Sequence, residues 1–307
     1  MNHTTKHAQR RFRLSLEQLE RRELLATAVL EGSTIVITGT GAADRAEVQH
    51  PVASSIYVVR LGPLGDTEEF QFPTSKVQRI KFLGFAGNDF FWNGTTVPCT
   101  ANGGEGRDTL YGGGGNDTIL GGTEDDFLRG GGGADVIFCW QFAFPWTPPP
   151  ATPGNDQVFG DGGSDTLIGN GGDDYLVGGT ESDEIHGFGG ADRLYGNEGN
   201  DSLFGGKGQD HLYGGSEKDL LDGGNGADAL WGEGGQDSLF GGRGADYLNG
   251  GGANDHLYDR AYDSDPADPG LFGTDTIIGG SGYDIAHGFE FPTDNVPVDD
   301  VEEFQLI

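Results

Sequence analysis

The sequence predicts an all-β fold, a solenoid of parallel 18-residue coils preceded by a less regular β region, and three observations predict it. First, Asp156, Asp165, Asp174, Asp183, Asp192, Asp201, Asp210, Asp219, Asp228, Asp237, Asp246 and Asp255 follow one another at a fixed step of nine residues. Second, an aliphatic residue stands two places after each: Val158, Leu167, Leu176, Ile185, Leu194, Leu203, Leu212, Leu221, Leu230, Leu239, Leu248 and Leu257. Third, glycine fills the interval, so the unit reads G-G-x-G-x-D-x-U-x with U aliphatic. Glycine on a grid reads as turns, whereas unordered glycine reads as disorder. The six residues G-G-x-G-x-D predict a tight turn and the three residues x-U-x a very short strand with U inward. Two repeats complete one coil, and coils stack at about 4.8 Å.

The elements follow in chain order. The stretch "LSLEQLERRELLATAVL" spaces Leu16, Leu19 and Leu24 on one side and predicts an amphipathic helix. Its charges at Glu17, Glu20, Arg21, Arg22 and Glu23 are foreign to a secretory apolar core. Between residues 29 and 86 the runs "STIVITG", "SSIYVVRL", "EEFQFP" and "VQRIKFLGF" are strand signals separated by Gly, Pro and Asp. The grid begins faintly at Asp89 and firmly at Asp108, continuing through Asp117, Asp126 and Asp135. Two insertions follow, one between Asp135 and Asp156 and one between Asp255 and Asp275. Each is two repeats long plus a few residues, which predicts a return to the same edge of the solenoid. The first loop carries Trp140, Phe142, Phe144 and Trp146, as either a cap or a partner-binding patch; the second carries Asp259, Asp263, Asp265 and Asp268. The last repeat holds Asp284. The expected organisation is therefore residues 1–27 as a terminal segment, 28–106 as a β region capping the solenoid, 107–289 as the repeats with insertions near 139–153 and 259–272, and 290–307 as an acidic end.

The chain has 307 residues, 58 of them Gly, and sets 18 basic against 49 acidic side chains for a net charge of −31. Nucleic acid and anionic lipid are excluded as partners by that balance, because both need cationic surface. No apolar run is long enough for a helical membrane span. Cys99 and Cys139 lack zinc or redox spacing and are expected not to pair. Cys99 falls on the grid nine residues before Asp108, at a turn.

Stacked coils bring Asp over Asp along each edge, and like charges in a column repel. Turn carbonyls face the same gap. A gap lined only by oxygen, in flexible geometry, suits Ca²⁺ rather than Mg²⁺. One aliphatic side chain per nine residues buries little surface, so bound metal is expected to couple to folding. The candidate ligands are Asp108, Asp117, Asp126, Asp135, Asp156, Asp165, Asp174, Asp183, Asp192, Asp201, Asp210, Asp219, Asp228, Asp237, Asp246, Asp255, Asp275 and Asp284, holding several Ca²⁺ ions.

Between Asp108 and about His287 the repeats resemble those of the RTX, or hemolysin-type, calcium-binding proteins. That resemblance implies a parallel β-roll with Ca²⁺ between turns, folding outside the cell. "GGTEDD", "GGTESD" and "GGSEKD" depart from it, placing Glu124, Glu181 and Glu217 at the fourth glycine position, which weakens the expectation beside Asp126, Asp183 and Asp219. The segment Leu19-Glu20-Arg21-Arg22-Glu23-Leu24-Leu25 is similar to the L-E-P-R-x-L-L stretch that opens many planctomycete extracellular proteins, with Arg21 in place of Pro. It implies an export or surface-targeting element. The closing "EEFQLI" resembles an uncleaved type I secretion signal and reads equally as a closing strand.

These features lead to an expected secreted or cell-surface calcium-binding protein, non-catalytic and structural or adhesive. The alternatives are an accessory part of a secreted enzyme or toxin, and a glycan-binding or surface-protein-binding module. No H-E-x-x-H, G-x-S-x-G or G-x-x-x-x-G-K-[ST] motif occurs. His186, His211, His256 and His287 take scattered outward positions. Phe138, Phe159, Val177, Tyr195, Tyr213 and Trp231 are expected in one outward row, offering either a sugar platform or a stabilising ladder.

Overall fold

The computed structural model describes residues 26–52, 54–62, 67–139, 154–258, 276–287 and 303–305. The terminal targeting segment to residue 25, the aromatic loop 140–153, the acidic loop with Asp275, and most of 290–307 lie outside the described residues. Among the described residues, two long sheets of 14 and 13 strands face each other. Their strands alternate along the chain, each pairing in parallel with the strand two places on, as Ser202–Lys207 does between Glu184–Gly189 and Leu220–Asn225. This is the parallel β-roll of 18-residue coils that the grid predicts.

The core is a double column. Ile185, Leu203, Leu221, Leu239 and Leu257 stack through one sheet. Leu176, Leu194, Leu212, Leu230 and Leu248 stack through the other. All are fully buried. Each strand places one such residue inward because side chains alternate across a pleated strand.

Four features differ from the expectations. Most strands of the roll run six residues, as in Ser202–Lys207 or His211–Ser216, instead of three. The glycine pair stays in register with the next coil, Gly206 opposite Gly224, so strand pairing continues into the turn. The insertions also lead to the opposite edge. The strand after the first insertion, Gln157–Gly162, pairs with Phe127–Gly132 and not with Val136–Phe138. Asp126 thus bonds Asp156, 30 residues away, and Asp255 bonds Asp284, 29 away, where uninterrupted neighbours are 18 apart. A loop absorbs any number of residues, so its length says nothing of phase. For the same reason Phe138 lies in the other sheet from Phe159. Finally, Thr27–Glu31, the end of the stretch read as a helix, is a strand paired antiparallel with Thr34–Thr38.

The less regular runs before residue 79 form strands at one end of each sheet, including the antiparallel pairs of Ile56–Leu61 with Arg45–Gln49 and Glu68–Pro73. Parallel pairing begins with Thr34–Thr38 against Arg79–Ala86 and Arg45–Gln49 against Phe90–Gly94, and continues with Arg79–Ala86 against Cys99–Glu105. At the other end Glu303–Gln305 adds a parallel strand to Ile285–His287. Among the described residues no helix is long and apolar enough to cross a membrane.

Candidate metal centre

Among the described residues each repeat turn from Asp108 to Asp255 ends on a buried Asp whose side chain points back into the turn. Its Oδ1 accepts the N–H of the Asp one coil earlier: Asp183 N–H donates to Asp201 Oδ1 at 2.8 Å and Asp201 N–H to Asp219 Oδ1 at 2.9 Å. The same bond joins Asp108 to Asp126, Asp117 to Asp135, Asp135 to Asp165, Asp156 to Asp174 and Asp165 to Asp183. It continues from Asp174 to Asp192, Asp192 to Asp210, Asp210 to Asp228, Asp219 to Asp237, Asp228 to Asp246 and Asp237 to Asp255. Two carboxylate columns result, one along each edge. One carboxylate oxygen is thereby occupied in holding coil to coil.

The second oxygen is different. In Asp108, Asp117, Asp126, Asp135, Asp165, Asp174, Asp183, Asp192, Asp201, Asp210, Asp219, Asp228, Asp237 and Asp255, Oδ2 is buried with no hydrogen-bond partner among the described residues. A buried polar oxygen without a partner is costly, and a column of them calls for a compensating group. The first glycine of the turn makes room for it: a Cβ at Gly205 would sit 2.6 Å from Asp210 Oδ2 and 2.7 Å from the Gly223 carbonyl oxygen. Carboxylate oxygen and glycine carbonyl therefore share one side-chain-free space between coils.

The electrostatics follow from that burial. Desolvation pushes the carboxyls of Asp201 and Asp210 from the ordinary 3.8 up to about 6, while the donated backbone N–H opposes it. Desolvation, with like charge from the neighbouring coil, raises Asp183 and Asp219 to about 8 and Asp126 and Asp174 to about 9. Such a column favours either protons or a divalent cation. The donors fit calcium: oxygen alone, from several backbone and side-chain sources.

Residues 102–137, 150–185, 186–221, 222–257 and 269–290 match the RTX calcium-binding nonapeptide repeat, together more than half of the chain. The chain belongs to this family. Among curated proteins none matches it. The RTX repeats make the roll a calcium-binding one, and their glycine turns are the spaces just described.

The RTX turns that depart from the repeat keep its Asp geometry. Glu181 and Glu217 take positive φ at the glycine position, 71° and 74°. Their carboxylates accept the N–H of Gly163 at 2.9 Å and of Gly199 at 3.1 Å in the preceding coil. Those bonds, with hydroxyls donated by Thr180 and Ser216, hold both carboxyls below their usual range. Asp183 and Asp219 stay in their column. Asp89 and Asp44, outside the expected ligand set, extend it: Asp44 N–H donates to Asp89 Oδ1, and Asp89 N–H to Asp108 Oδ1, each at 2.7 Å. The signal for Asp89 was its place closing the turn in "FAGNDFF", 19 residues before Asp108 and so one off the grid; Asp44 closes "GTGAAD", a degenerate copy of the turn. Cys99 holds the grid place of an Asp, its N–H donating to Asp117 Oδ1 at 2.6 Å. Both cysteines are free and buried.

Proposed function

We propose that the chain is a secreted, non-catalytic module, structural or adhesive, whose roll is assembled by a row of Ca²⁺ ions along each edge. The observation that carries this reading is the column of buried, unpartnered Oδ2 atoms beside glycine carbonyls. Carboxylates committed between coils serve cohesion better than catalysis, since substrate does not reach them. Asp156 to Asp255 supply six carboxylates on each edge; six stacked turns enclose five gaps, so the two edges offer ten. Ten ions would bring the formal charge from −31 to −11. Neighbouring gaps share a turn, and binding is expected to be cooperative.

Asp201→Ala tests this reading. The substitution removes Oδ2 from its gap and the acceptor of Asp183 N–H, disturbing the gaps toward Asp183 and Asp219 and sparing the opposite edge. Bound-metal analysis of the calcium-loaded protein should find several ions per chain and one or two fewer in the variant. One or two ions in the intact protein, or no loss in the variant, would overturn the proposal.

Glycan binding is a second reading, and its support shifts from the aromatic row to a groove. In the row, Tyr195, Tyr213 and Trp231 stack on one another at 4.7 and 4.5 Å with planes 3° and 4° apart. Their faces meet each other, which favours a ladder stabilising the sheet. On the other sheet a shallow groove of about 310 Å³ is lined by His186, Phe188, Phe204 and Asp222. Phe188 is half exposed there. This second reading demands glycan binding by the calcium-loaded protein that is lost in Phe188→Ala; retention in that variant would remove the groove from consideration.

A further inference from the structure

We propose that Cys139, Asp156 and Asp174 form a sulfur-and-oxygen site for one soft divalent ion, of the zinc or cadmium kind, where the first insertion leaves the roll. The thiol sulfur and one carboxylate oxygen from each Asp lie within 4.8 Å of one another, and all three residues are buried. Among the described residues this is the one such grouping.

Its origin lies in the repeat. Cys139 follows the strand Val136–Phe138, at the place where the coils on either side have the side-chain-free Gly121 and Gly169. Those glycines leave their space to the carboxylates of Asp126 and Asp174. In the middle coil the thiol enters that space and lies beside the Asp156 carboxylate. Asp156 N–H is donated to Asp174 Oδ1 at 2.8 Å, while Asp174 Oδ2 is buried without a partner. The site therefore keeps the orphaned oxygen common to the columns, here in a residue that is 1% exposed and beside a sulfur.

Sulfur alters which ion is preferred. Elsewhere in the columns the donors are oxygen, which suits a hard cation, whereas a thiolate selects zinc-like ions. Binding exchanges protons for the ion: the S–H bond breaks and its proton goes to solvent together with any proton or calcium ion held by Asp156 and Asp174, a sulfur–metal bond forms, and no electrons are transferred. Cys99 is the internal comparison: its sulfur contacts the Gly112 carbonyl at 3.7 Å and has the Asp117 carboxylate nearby, but no grouping with a second carboxylate forms there.

The site takes the Asp156–Asp174 gap, one of the ten counted above, and needs the folded roll but no particular number of calcium ions in the other gaps. The full chain would be refolded in calcium, kept in free calcium, and titrated with Cd²⁺. Expected are one sulfur-to-cadmium charge-transfer band per chain, saturating at one equivalent with release of the thiol proton. Cys139→Ser and Cys139→Gly should lose the band and weaken the tightest cadmium binding at least tenfold; Cys99→Ser should keep both. Glycine is the residue of the flanking coils, so Cys139→Gly guards against a folding defect. Circular dichroism of the same samples reads the calcium-induced fold separately. An absent band on a folded roll, a band surviving in both Cys139 variants, or one lost with Cys99 overturns the site and leaves the calcium reading standing.

Discussion

In excess chelator at about pH 8 the chain is expected to lose its β-sheet circular dichroism, and to regain it either in about 1 mM Ca²⁺ or on acidification to about pH 4. The two rescues share one cause. Carboxyls such as Asp201, Asp183 and Asp174 titrate at about 6, 8 and 9 in the metal-free roll, against 3.8 for an ordinary Asp. Their folded values are raised, so the folded state binds more protons than the unfolded chain and stability falls as pH rises. Their contribution is fully present below about pH 4 and is lost as pH climbs through about 6 to 9. Each unit costs about 1.4 kcal/mol in the ionised form. Summed over two columns, even a fraction of that exceeds the roughly 5–15 kcal/mol by which a domain is usually stable. Calcium removes the penalty by replacing the protons. A compact, β-rich chain at about pH 8 in chelator, with no gain on acidification, would show that the columns are not held apart by charge.

The nine-residue grid made the main part of this arrangement legible. Asp at a constant step, with Leu203 or Leu212 two residues on, dictates which side chains face inward and which stack, because pleat and coil length leave no other phase. The division of labour within one carboxylate was not legible. That Oδ1 of Asp201 would bond Asp183 N–H while Oδ2 stayed free depends on how far the turn folds under its own glycines. The insertions were misread for a physical reason: strand pairing selects the edge, and Asp156 found Asp126 because Phe127–Gly132, paired on one side with Thr109–Gly113, offered its other hydrogen-bonding edge to the next strand of its sheet. The end of the Leu-rich N-terminal stretch was misread similarly. Thr27–Glu31 has a helical neighbour pattern upstream, yet pairing with Thr34–Thr38 covers Ala28 and overrides it.

Leu203→Asp and Leu212→Asp are each expected to abolish calcium-induced folding through the middle of the roll. Leu203 is fully buried between Ile185 and Leu221, and Leu212 between Leu194 and Leu230. The lost apolar burial costs about 1.5–3 kcal/mol. A carboxylate with no partner then faces the core and costs several kcal/mol more. A solenoid multiplies the damage, since each coil is stabilised only by its neighbours and a broken one exposes two apolar ends. Ser202 is the control: it points outward beside Glu184 and Leu220, and Ser202→Asp should cost under about 1 kcal/mol, mostly repulsion from Glu184. Calcium titrations followed by circular dichroism would separate them, the core variants giving little β signal at any calcium concentration and the Ser202 variant a midpoint near that of the parent. Equal behaviour at the two faces would mean that the inward column does not carry the fold, and with it the stacking that brings each Asp over the next.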